Sequence, residues 1–278
     1  MPISATQVVI GKARNGNLYV FGKWGTGSHI LRRSIDGGVS WTARAIFDSD
    51  FIDALSLEPG NEGDPADIWV FYSLINFEPT RLKMRAYDDS ANAWSASTTV
   101  FNDLATSQIV DQRMRTVTRR SNNFAYMALV TGPGVGANHI LRVFRIESLA
   151  TVVALTNIVS GVFVSAVSIT FDPINNHLYV VRMDINGNLF YNRSTDLGAT
   201  WEAAVQINSA GPYPATNGTQ LSPILASGGR FYPMWANQDT STARTLRANF
   251  TTSIFLAPSA PPSGLGGAGA AKALLDLF

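Results

Sequence analysis

Side chains able to make or break bonds are few in this sequence, and they are scattered. There is no cysteine, which excludes thiolate nucleophiles, thiolate metal sites and disulfides together. His29, His139 and His177 are far apart and lack the spacing of a metal cluster, so no metal and no cofactor are expected. Acid–base work on a glycosidic bond needs paired carboxylates. Asp53 and Asp111 fall in β-rich stretches that open their units, Asp184 and Asp239 follow later stretches, and no Glu joins them. Isolated acids of this kind usually serve turns, so a catalytic constellation is not expected. Binding asks for less: flat aromatic faces and a few hydrogen-bonding groups. Trp24 and Trp235 supply faces, while Asp53, Gln112, Arg113 and Gln220 lie near the starts of strands closest to a common axis. Such a set suits neutral sugars, whose rings stack on aromatics while their hydroxyls pair with polar side chains. Gly264-Leu-Gly266-Gly-Ala-Gly269 spells a dinucleotide fingerprint, but Pro261-Pro262 precedes it where a strand is needed, so it reads as a flexible hinge.

Bringing these groups together falls to a repeat. Aromatic and β-branched runs recur as Leu18-Tyr-Val-Phe21, Ile68-Trp-Val-Phe-Tyr72, Phe124-Ala-Tyr-Met127, Leu178-Tyr-Val-Val181 and Phe231-Tyr-Pro-Met-Trp235, their starts 50, 56, 54 and 53 residues apart. Asn- and Gly-rich turns precede most of them, as tight hairpins require. Strand-rich units of this length predict an all-β chain, a β-propeller of five four-stranded blades, with six as the alternative. In the first unit the strands are expected at 6–12, 18–23, 29–34 and 42–47. In the third, the first strand is expected at 109–118 and the fourth at 151–159. The fifth should end in a short fourth strand near 253–256. His29-Ile-Leu-Arg32 returns as His139-Ile-Leu-Arg142, two periods on.

Composition agrees with such a core. Of 278 residues, 46% are hydrophobic and 10% aromatic, which excludes bulk disorder. Lys plus Arg total 21 against 20 for Asp plus Glu, a net charge of +1 that excludes electrostatic nucleic-acid binding. Residues 148–171 carry no charge, yet polar groups alternate along them. Two strands joined by a turn at Ser160-Gly161 are expected there, and no membrane span. Met1-Pro-Ile-Ser shows no Sec-type signal, so synthesis in the cytoplasm is expected.

Two hairpins share a further motif. Ser34-Ile-Asp36-Gly-Gly38-Val-Ser-Trp41 and Ser194-Thr-Asp196-Leu-Gly198-Ala-Thr-Trp201 both read S-x-D-x-G-x-[ST]-W, 160 residues apart. A decayed copy, Tyr87-Asp-Asp89-Ser-Ala-Asn-Ala-Trp94, keeps Asp89 and Trp94 and loses the Gly. In such a turn the carboxylate accepts backbone N–H groups, Gly takes a backbone angle closed to other residues, and Trp packs beneath. These residues resemble the Asp-box, or bacterial neuraminidase repeat, of sialidase-like β-propellers. The resemblance implies that the turns are structural and lie away from the ligand face. A sialidase-like glycoside hydrolase acting on surface glycans is the alternative it implies. Such an enzyme would need an arginine triad, which the opening strand lacks; Arg145, in Phe144-Arg-Ile-Glu147, is expected to be an ordinary outer-strand residue.

The composition shifts after Leu256. Residues 1–256 are expected to form the propeller and 257–278 a Pro/Gly-rich linker with a short docking segment whose apolar residues are Leu274, Leu275, Leu277 and Phe278. The partner expected for that segment is another protein or a neighbouring copy. A small propeller with a docking tail is similar to accessory proteins of phage particles, which implies a decoration module gripping surface glycans.

Overall fold

The computed structural model describes residues 5–24, 29–47, 52–62, 65–74, 78–102, 108–109, 115–118, 124–132, 139–207, 221–226, 230–238, 244–248 and 254–255. Among them every regular element is a strand, and the strands form antiparallel sheets. Sheet I is β1 (Ala5–Lys12), β2 (Leu18–Trp24), β3 (His29–Ser34) and β4 (Thr42–Ile46), side by side. Sheet II holds β5 (Ile52–Pro59), β6 (Ile68–Leu74) and β7 (Glu78–Asp88). Its outer position is shared by β8 (Ala93–Trp94) and β9 (Thr98–Asn102), both paired with β7.

In sheet III, β10 (Gln108–Ile109) and β11 (Arg115–Thr118) both pair with β12 (Ala125–Gly132), and β13 (His139–Ile146) follows. The outer position is again split, between β14 (Val152–Ala154) and β15 (Val159–Val162). Sheet IV is β16 (Ala166–Asp172), β17 (His177–Met183), β18 (Leu189–Ser194) and β19 (Val205–Gln206). Sheet V contains β20 (Leu221–Ala226), β21 (Arg230–Gln238), β22 (Arg244–Ala248) and β23 (Ile254–Phe255).

The five aromatic runs are thus the second strands. Their period-two alternation sends neighbouring residues to opposite faces, and in sheets II, III and IV both faces are apolar because a sheet lies on each side. Ile68, Val70 and Tyr72 pack with Tyr19, Phe21 and Leu31 between sheets I and II. Trp69 and Phe71 turn the other way, onto Met127 and Leu129 between sheets II and III. Tyr126 and Val130 meet Leu178 and Val180 between sheets III and IV. First strands pack in chain order, β1 on β5, β5 on β11, β11 on β16 and β16 on β20. The arrangement is a β-propeller, and sheets I to IV are complete four-position blades.

Three expectations change. The terminal strand expected as the fourth of its unit is β23, which pairs with β21 beside β22 instead, so sheet V is three positions wide among the described residues. The strand expected at 151–159 is broken in two. Ser160 and Gly161, expected to turn the chain between blades, lie inside β15, where Gly161 at φ +74° forms a bulge opposite His139 and Ile140. A glycine with positive φ serves a turn or a bulge equally well, which is why its letter misled. The tail, 257–278, lies outside the described residues, as do Leu274, Leu275, Leu277 and Phe278. Among the described residues no helix is long and apolar enough to cross a membrane.

Antiparallel pairing gives each blade two distinct ends. Turns joining first to second and third to fourth strands lie at one end, termed lower; links from second to third strands lie at the other, termed upper.

Candidate functional site

The paired turns sit at the lower ends of sheets I and IV. In both, the serine hydroxyl donates to the aspartate Oδ1 (Ser34 to Asp36, 2.7 Å; Ser194 to Asp196, 2.8 Å). The serine Oγ in turn accepts the N–H of Gly38 at 2.8 Å or Gly198 at 2.7 Å. The carboxylates then accept the N–H of Ser40 at 2.9 Å and of Thr200 at 2.8 Å, and both hydroxyls as well. Gly38 and Gly198 stand at φ +100° and +92°, so any side chain there is strained.

Hydrogen bonds to the charged form hold both carboxyls low. The Ser40 hydroxyl, then its N–H and Ser34, keep Asp36 well below the usual carboxylate range. The Thr200 hydroxyl leads the same effect at Asp196, lowered from 3.8 to about 2. A depressed folded value means stability present above pH 3.8 and lost as pH falls through about 2. Asp196→Asn is therefore expected to lower the melting temperature at neutral pH, with the gap to the parent closing between about pH 4 and pH 2. Thermal unfolding across that range checks it; a gap independent of pH refutes it.

The decayed turn departs from the expected register by one residue. Asp88, not Asp89, caps it, accepting from Ser90 N–H at 2.8 Å, the Ser90 hydroxyl at 2.7 Å and Ala91 N–H at 3.1 Å. Asp89 instead reaches sheet I, where it pairs with Arg33 and with Arg44 at 2.8 Å. Asn92 accepts from Ala45 N–H at 3.0 Å, and Trp94 donates to the Ala45 carbonyl at 3.3 Å. Trp201 likewise donates to Thr156 of the preceding sheet at 3.0 Å. These lower-end groups are structural stitches between blades. Arg145 behaves as expected of an outer-strand residue, paired with Glu147 at 2.6 Å.

A different chemistry occupies the upper end of sheet IV. Arg182 on β17 stands opposite Val167 of β16 and Phe190 of β18, so the three share one face. Its guanidinium carbon lies 4.6 Å from the centre of the Phe190 ring, a cation–π contact. Arg182 is only 9% exposed, and its Nε, sealed from solvent, meets no acceptor among the described residues. Burial lowers its basicity, and the nearby Asp184 charge opposes that effect. Asp184 itself is spent on a turn, accepting the N–H groups of Asn186 and Asn188 at 2.8 Å each and the Asn188 amide at 2.9 Å. At the same end of sheet IV, Ser165 is bonded to the Met183 and Asp184 carbonyls at 3.3 and 3.2 Å, and Gln206, opposite Phe190, is bonded to Asn188 at 3.4 Å.

Backbone pairing puts Trp24 opposite Ala5, Asp53 opposite Ser73 and Trp235 opposite Leu221, at the upper ends of three different sheets. Their side chains lie outside the described residues, as do Asp111, Gln112, Arg113, Gln220 and Asp239 altogether. His29 and His139 both open third strands and are buried; His29 stacks on Phe21 at 5.8 Å, and His139 Nδ1 accepts the Val164 N–H at 3.0 Å. Arg182 was not singled out by sequence reasoning. A signal existed: it is the fifth residue of its run, where the other runs carry Gly22, Tyr72, Ala128 and Trp235.

Blades stitched at their rims, with a polar and aromatic cluster at the opposite end of sheet IV, define a β-propeller. No protein-family model matches the chain, and no curated protein matches it. Among solved structures it is similar to the BP39L lectin from Burkholderia pseudomallei, at 15% identity and a TM-score of 0.58, over 88% of this chain and 68% of that one. The SapL1 lectin, in complex with alpha methyl fucoside, aligns at 14% identity and a TM-score of 0.56, over 88% and 77% of the two chains. The Trypanosoma rangeli sialidase, in complex with the inhibitor DANA, aligns at 12% and 0.53, over 84% of this chain and 44% of that one. What these proteins share with the chain is the β-propeller fold.

Proposed function

We propose that this chain is a glycan-binding β-propeller that works without catalysis, through the cluster at the upper end of sheet IV. Arg182 is the observation that carries this proposal. An arginine nine-tenths buried whose Nε meets no acceptor among the described residues is costly, and oxygen-rich ligands can supply that acceptor. Sugar hydroxyls or a sugar carboxylate would meet its nitrogens while a pyranose face lies near Phe190. The lectins among the similar folds support a carbohydrate ligand. In the same proposal, sheet V is the fifth blade of one ring formed by residues 1–256. Residues 257–278 tether that ring to a protein partner or a neighbouring copy, as on a phage particle.

The test is a glycan array probed with the purified chain and with Arg182→Gln and Phe190→Ala, with neutral and carboxylated glycans as separate arms. Each substitution is expected to weaken binding roughly ten- to a hundred-fold, as loss of charged hydrogen bonds or of stacking does. Loss confined to the carboxylated arm would identify the acceptor as a carboxylate. Binding unchanged in both variants, no glycan bound, or turnover of the bound glycan would each overturn the proposal.

A further inference from the structure

Among the described residues, sheet I is covered on one face only. Val9, Phe21 and Leu31 pack toward sheet II. Strand register puts Ile10, Val20, Ile30 and Ile46 on the opposite face, through the pairs Ile10 with Val20 and Ile30 with Ile46. On the face of sheets II and III that meets the preceding sheet, Val70 and Met127 are fully buried, whereas Ile10 and Ile46 are 63% and 61% exposed. This face, apolar but for Lys12 and Arg32, is a contact surface.

The repeated turns show which neighbour is missing. Trp94 and Trp201 each donate across a junction to the outer strand region of the preceding sheet. Trp41, the equivalent residue of sheet I, donates within its own turn, to the Gly38 carbonyl at 3.0 Å. The glycines repeat the contrast. A Cβ on Gly198 would strike Leu155 of the preceding sheet at 2.5 Å, while one on Gly38 would meet only Leu18 and Trp41 of its own sheet, both at 3.7 Å. At the other end of the series, the first strand of sheet V packs on β16. The β21 sequence is apolar in both phases, Phe231, Pro233 and Trp235 in one and Tyr232, Met234 and Ala236 in the other. Second strands with that pattern are covered on both faces elsewhere in the molecule.

We infer that the free face of sheet I, with Trp41 as its latch, is the seat of sheet V of the same chain. The ring closes there by docking of whole sheets, without strand exchange, and this seam opens before any other junction. The inference deepens the five-blade part of the proposed function and is independent of any ligand.

Because the chain has no cysteine, engineered pairs report directly. Ile46→Cys is combined in turn with a cysteine at each of positions 231–236, and the chains are oxidised. An intramolecular cross-link in the monomer, confined to alternate positions, is expected. Intermolecular cross-links would show that a second copy occupies the face, and no cross-link at any position would show that it is solvent-exposed; both overturn the inference. Hydrogen exchange of Ile46→Asp gives a second readout. At least ten-fold faster exchange in β21 and β22, with β6 and β12 unchanged, is expected, and unchanged exchange in β21 overturns closure at this seam. Either result stands whether or not glycans bind, so failure here is distinct from failure of the proposed function.

Discussion

Arg182→Met is expected to abolish glycan binding while raising the melting temperature. Methionine keeps the length of the side chain and its contact with Phe190, and it removes a buried Nε–H that meets no acceptor among the described residues. Replacing poorly compensated buried charge by apolar atoms commonly stabilises by roughly 1–3 kcal/mol, a few degrees in a domain of this size. A gain of stability with a loss of binding is the signature of a residue kept for a ligand. If the same substitution lowers the melting temperature, Arg182 is a structural residue and the site lies elsewhere.

The second large effect is expected at the junction of sheets I and II. The Trp94 ring lies 4.8 Å from that of Phe47, 4.9 Å from Tyr87 and 6.0 Å from Phe21. Trp94→Ala removes all three contacts and the hydrogen bond to Ala45, and leaves a cavity in a cluster that cannot collapse freely. A loss of about 3 kcal/mol in unfolding free energy is expected. Trp94→Phe keeps much of the packing and should cost about 1 kcal/mol, mainly the hydrogen bond. Denaturant unfolding of both variants measures the difference; equal losses would mean that the ring contacts contribute little.

The second strands were the most legible part of the fold, because a run such as Ile68-Trp-Val-Phe-Tyr72 is apolar in both phases and only a strand between two sheets satisfies that. The S-x-D-x-G-x-[ST]-W turns were legible for a local reason. Their hydrogen bonds join residues at most four apart, so tertiary context has little to override. Where two adjacent residues share a chemistry, the letters could not choose. Asp88 and Asp89 are such a case, and the partner that separates them, Arg44, lies 45 positions away. Outer strands were harder still. β14 and β15 are interrupted by a bulge whose glycine looks like a turn, and β23 pairs by a rule that only the finished sheet reveals.

The candidate site was less legible than the fold. Polar residues at strand starts were sensible choices for a binding mouth, but what marks Arg182 is the lack of an acceptor, a property of three strands folded together. A charge inside an apolar alternation was its one visible trace.

The stitches between sheets I and II join Arg33 and Arg44 to Asp89, and Ala45 to Asn92 and Trp94, on third and fourth strands or the turns between them. They also join Arg14 to Gly60 and Asn15 to Asp67 in the turns between first and second strands. Load passed from one blade to its neighbour is therefore spread across the blade's whole width, from the turns beside the bore to the perimeter, and a lost stitch at one radius leaves others to keep the wheel's shape.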